Sequence, residues 1–76
     1  MTTYQGHKNW NHWNVSLWIN NDEGLYNLAK AAIRVSEDRQ SAAETLLIWL
    51  SARGAVKTPD GAPYTVSSIR AAMVGM

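Results

Sequence analysis

Apolar and polar positions along the chain predict four helical stretches and one irregular one. At about 100° per residue, Trp10, Trp13 and Leu17 share one stripe, while Val15, Trp18 and Ile19 fall on a different, broad side. This predicts a first helix over residues 11–20 that is apolar around much of its circumference. In a thin domain one side of such a helix meets the core, and the other meets solvent or another molecule. Asn20-Asn21-Asp22 then breaks the pattern. Asp22 is the expected N-cap of a second helix, with Asn21 an equally competent cap. Leu25, Leu28, Ala29, Ala32 and Ile33 recur at helical spacing to about Arg34. Glu23 at its start and Lys30 and Arg34 near its end complement the helix dipole.

A third helix follows, with Ala43, Leu46, Leu47 and Leu50 as its inner face and Ile48 and Trp49 widening the apolar surface. Ser36 is the expected cap, with Glu37 and Asp38 in the first turn. Arg39 stands at the capping-box position, so that motif's reciprocal bond is not expected. Gly54 after Arg53 suits a left-handed C-cap. Residues 55–64 read as two short extended arms around the turn Pro59-Asp60-Gly61, with Pro63 limiting any ladder. Thr65 caps a last helix carrying Val66, Ile69, Arg70 and Met73 at i, i+3, i+4 and i+7. The expected fold is an all-α, small four-helix domain with a short hairpin-like loop before the last helix. It forms a single domain over 1–76, of which polar residues 1–8 are a flexible lead-in.

Size narrows the chemistry. Seventy-six residues without cysteine offer no disulfide or thiolate metal site, so packing alone holds the fold, aided by self-association or a partner. No glycine-rich phosphate loop is present, and no nucleophile-elbow pattern surrounds any serine. Capping already accounts for Asp22 and Glu23. A catalytic pocket of ordinary size would consume much of so small a core, and no enzyme is expected. His7 and His12 are five apart, which fits neither helical metal spacing, so no metal and no cofactor are expected. Neither a basic-plus-apolar leader nor an apolar run of membrane-spanning length occurs, and a soluble, cytoplasmic protein without membrane contact is expected.

The formal net charge of +1 argues against both an acidic DNA mimic and a strongly basic clamp. Four Trp with no Phe is the unusual feature. Trp10, Trp13 and Trp18 fan over too wide an arc for all to enter one small core, and an exposed Trp is a typical anchor for a protein partner. Trp10, Trp13, Trp18 and Asn21 are therefore the candidate protein-binding residues. A helix-turn-helix-like reading of the C-terminal part nominates Arg53, Lys57, Ser67 and Arg70 for phosphate contacts. Its connection is longer than the usual turn, and nucleic acid is the less favoured partner.

The run from Asn9 to Tyr26, Asn9-Trp10-Asn11-His12-Trp13-Asn14-Val15-Ser16-Leu17-Trp18-Ile19-Asn20-Asn21-Asp22-Glu23-Gly24-Leu25-Tyr26, resembles a group of small bacteriophage and mobile-element proteins sharing a W-N-V-x-L-W-I-x-N-D-E-x-L-Y block. No catalytic residues carry over with it. The resemblance implies a phage-encoded protein that binds host machinery without chemistry, as anti-CRISPR and other anti-defence inhibitors do. The expected function is steric inhibition of a host defence complex, a CRISPR effector among them, in the host cytoplasm. A small DNA-binding regulator and a homodimeric structural module are the alternatives.

Overall fold

The computed structural model describes residues 9–76; the lead-in expected over residues 1–8 lies outside them. Four helices follow in order: α1 (Trp10–Asn21), α2 (Glu23–Val35), α3 (Arg39–Ala52) and α4 (Val66–Ala72). The all-α fold expected from the sequence is the one observed. Helix α1 is slightly longer than its apolar pattern suggests, because Asn9 caps it, accepting from the His12 backbone N–H at 3.0 Å. Asp22, not Asn21, begins α2; its carboxylate accepts from the Leu25 N–H at 2.9 Å while its own N–H still closes α1 onto the Trp18 carbonyl. One residue thus ends one helix and starts the next.

The start of α3 differs from expectation. Ser36 closes α2 instead of opening α3, its N–H reaching back to the Ile33 carbonyl. Asp38 is the cap, accepting from the Ser41 N–H at 2.7 Å. A carboxylate meets the positive helix end better than a hydroxyl does, and placing it two residues later leaves room for the chain to turn. Gly54 takes the positive φ of 76° expected of a C-cap glycine. Thr65 caps α4 as expected, and Ser68 completes a reciprocal capping box with it.

The four helices close a ring in which each touches its two neighbours, α1 lying against α2 and α4, and α3 against the same pair. The shortest dimension is 19 Å, about two helix diameters, so every helix has one side inward and one outward. The core is built from Val15 and Ile19 of α1, Ala29 and Ala32 of α2, Ala42, Ala43, Leu46 and Leu50 of α3, and Ile69, Ala72 and Met73 at α4. Alanines make up a large share of it, so the larger buried side chains are few. Of the inner face expected for α3, Ala43, Leu46 and Leu50 are buried and Leu47 half-buried; of the two residues expected to widen it, Trp49 is half-buried and Ile48 exposed.

The loop between α3 and α4 is the hairpin-like element expected. Lys57 and Pro63 form one antiparallel bridge. Pro63 has no N–H to give, and the bonds come from its neighbours: Thr58 N–H to the Ala62 carbonyl at 2.8 Å and Tyr64 N–H to the Val56 carbonyl at 3.0 Å. Ala62 and Tyr64 bury themselves in the core and pin the loop to the bundle.

Candidate functional site

Helix α1 carries no charged residue. Its inward side is set by Asn14, Val15 and Ile19, all buried. On the opposite side Trp10 is 40% and Leu17 38% exposed, with Trp13 half-buried between them and Asn21 exposed at the helix end. The stripe read from the spacing of Trp10, Trp13 and Leu17 is thus the outer stripe. Asn20 and Asn21 finish it, each folding its amide back onto the helix: Asn20 Nδ2 donates to the Ser16 carbonyl at 2.9 Å, and Asn21 Nδ2 to the Leu17 carbonyl at 2.8 Å. The last turn of α1 therefore presents a neutral surface whose amide donors already have acceptors.

Trp18 does not join that stripe. It lies on the other flank of α1, half-buried, and its indole Nε1–H donates to Asp60 Oδ2 at 2.9 Å. Asn14 Nδ2 donates to the same oxygen at 2.9 Å, and the Thr58 hydroxyl donates to Asn14 Oδ1 at 2.6 Å. The Ala62 N–H in turn donates to Thr58 Oγ1 at 3.0 Å. This chain of bonds clasps the α3–α4 loop to α1. The Asn14 amide, then the Trp18 indole, hold the Asp60 carboxyl below the usual aspartate value by favouring its charged form. Nothing in the apolar pattern of the sequence singles out Asn14 or Thr58, and Asp60 reads only as a turn residue. The available signal was Asn14 itself: an amide beside Val15 on the inward side of a helix needs a partner from elsewhere in the fold.

The four residues considered for nucleic acid are not gathered into one patch. Ser67 Oγ lies 3.0 Å from His12 Nε2, tying α4 to α1. Arg70 Nη1 donates to Gln40 Oε1 at 3.1 Å, and its positive charge also lowers the Asp38 pKa, after the larger effect of the Ser41 hydrogen bonds. Ser67 and Arg70, with Gln40, Val66, Ala71 and Val74, line an open groove of about 590 Å³. Arg53 ends α3, whereas Gln40 stands near its start, about 20 Å away along the axis. Lys57 is exposed in the loop bridge. No group of three His, Asp or Glu side chains among the described residues is arranged to hold a metal ion. Nor is any of their helices long and apolar enough to cross a membrane.

A family profile matches the whole chain, residues 1–76. The chain belongs to DUF7249, a family of unknown function. No curated protein and no solved structure matches it.

Proposed function

We propose that this DUF7249 chain is a non-catalytic protein-binding module whose docking face is the outward stripe of α1: Trp10, Trp13, Leu17 and Asn21. The single observation that carries the reading is that two large apolar side chains of a charge-free helix, Trp10 and Leu17, lie 40% and 38% exposed. Tryptophan is among the residues from which interface hot spots are most often built, and a charge-free face matches the depletion of charge at interface cores. Trp18, whose indole is taken up by the loop clasp, contributes by holding α1 in place instead of by touching the partner. The target class is a host defence complex, with a CRISPR effector as the leading example, and inhibition is by occupancy. This part of the reading is supported by the resemblance of the block from Asn9 to Tyr26 to phage and mobile-element proteins. The DNA-binding alternative draws less support, since Ser67 and Arg70 are already engaged by His12 and Gln40.

The test has two stages. Tagged wild-type protein and a Trp10→Ser/Trp13→Ser/Leu17→Ser variant, checked for helicity, are used to capture partners from the host. The captured complex is then purified and its activity titrated with each protein. A partner lost by the folded variant and inhibited at a molar equivalent by wild type supports the reading. Equal capture by both proteins counts against the α1 face. Steeply salt-dependent duplex binding lost in Arg53→Ala/Lys57→Ala would favour the regulator instead. A doubled solution mass without a partner would favour the homodimer.

A further inference from the structure

The clasp sits on the one Asp-Gly pair in the chain. We propose that Asp60–Gly61 is a self-modification site, at which aspartate converts to isoaspartate, and that the donors from Asn14 and Trp18 keep it unreacted while the loop is docked. The reaction needs no enzyme. The Gly61 backbone nitrogen bonds to Cγ of Asp60; its proton leaves with the carboxyl hydroxyl as water, and a five-membered imide results. Water then adds to the imide. Addition at Cγ restores aspartate, whereas addition at the Asp60 main-chain carbon breaks the original peptide bond and leaves the chain running through Cγ. One water is lost and one gained, so the product is an isomer with an extra methylene in the backbone.

Several features mark the site. Gly61 has no side chain to hinder attack, nothing lies within 4 Å of the place a Cβ would occupy, and both residues are exposed. Its φ of 95° is open to glycine and costly for other residues. What opposes the reaction is equally specific. Asp60 Oδ2 accepts from Asn14 Nδ2 and Trp18 Nε1, both at 2.9 Å, which fixes the carboxyl group and keeps it ionised, the form that cannot lose hydroxyl. The attacking nitrogen is also occupied, since the Gly61 N–H donates to the Thr58 carbonyl at 2.9 Å. These three bonds hold the carboxyl group and the attacking nitrogen on separate partners, and each opposes the approach of Cγ to nitrogen. Once isoaspartate forms, Cβ and Cγ of Asp60 belong to the backbone and the free carboxylate is the former main-chain carbon, so it no longer stands on the side-chain branch that reached Asn14 and Trp18 and the clasp does not re-form. The modification therefore acts as a release of the loop from α1.

Three samples are incubated at about pH 5, where a free carboxyl is partly protonated: folded wild type, folded Trp18→Phe, and wild type unfolded in guanidinium. Isoaspartate is read by enzymatic carboxyl methylation and by electron-transfer fragmentation of the peptide holding residues 58–64. Trp18→Phe keeps an aromatic ring and removes the Nε1–H. It is expected to isomerise roughly threefold or more faster than folded wild type, as loss of one hydrogen bond at an exposed position implies, and the unfolded chain fastest of all. An Asp60→Glu variant, whose longer side chain could close only a less favourable six-membered ring, loses the signal. Equal rates in folded and unfolded wild type would overturn the protection. Absence of isoaspartate at residue 60 in the unfolded sample would overturn the site.

Discussion

Asn14 is the residue on which the loop depends most. Only 1% exposed, it accepts from the Thr58 hydroxyl and donates to Asp60, joining α1 to a segment more than forty positions away in sequence. Replacing it with alanine removes both bonds and leaves the Thr58 hydroxyl without its acceptor. Asn14→Ala should cost about 2–3 kcal/mol, most of it the desolvation of a buried group left unpaired. Urea unfolding followed by circular dichroism measures it; a loss below about 0.5 kcal/mol, the level of an ordinary surface change, would show that the clasp contributes little. Trp18→Phe, which removes one donor at a more exposed position, should cost less than Asn14→Ala. The same comparison shows why the clasp was illegible in sequence. Trp18 attracts attention as a large aromatic, and helical angle correctly separates it from Trp10 and Trp13. Its actual partner is a carboxylate brought in by a distant turn, and periodicity carries no information on such pairings.

The helices themselves were largely legible, because each depends on neighbours three or four residues apart. Val15 and Ile19, Leu46 and Leu50, and Ile69 and Met73 are buried pairs at i and i+4, the spacing from which the elements were read. Boundaries were less secure where two cap-forming residues compete. Ser36 and Asp38 are both competent, and the choice depends on how far α2 continues before the chain turns. The observed choice predicts that Asp38→Ala lowers the urea midpoint while Ser36→Ala leaves it nearly unchanged; the reverse order would restore Ser36 as the cap. At α4 the reciprocal bonds of Thr65 and Ser68 secure a helix of only seven residues, too short to persist alone. Thr65→Ala should therefore cost about 1–2 kcal/mol. Because α4 packs on both α1 and α3, its fraying would be visible as faster amide exchange in all three.

At the scale of the whole molecule, the small margin of stability makes solution conditions decisive. A domain of this size has only a few kcal/mol in hand, and its alanine-rich core leaves most large-side-chain burial to a handful of residues. Leu46→Ala, at 0% exposure, should cost about 3–4 kcal/mol and bring the chain close to unfolding without a partner. Proton linkage sets the outer limits. Asp60 and Asp38 both have carboxyls lowered from 3.8 by hydrogen bonds made only in the fold, to Asn14 and Trp18 in one case and Ser41 in the other. Their folded forms bind protons less readily than the unfolded chain does, so their contribution is complete above about pH 4 and is lost as pH falls through the lowered values. At the other end, burial and then the nearby Asp22 charge raise the Tyr64 phenol above 10.0. There the fold retains a proton the unfolded chain would release, so this contribution is present below about pH 10 and is lost as pH rises through the raised value. A broad plateau bounded by an acid and an alkaline decline is the expected melting profile. Asp60→Asn should flatten the acid limb, since an amide has no proton to gain there, and Tyr64→Phe the alkaline one. An acid decline as steep in Asp60→Asn as in wild type would mean that the loop clasp is not among the contacts that low pH dissolves.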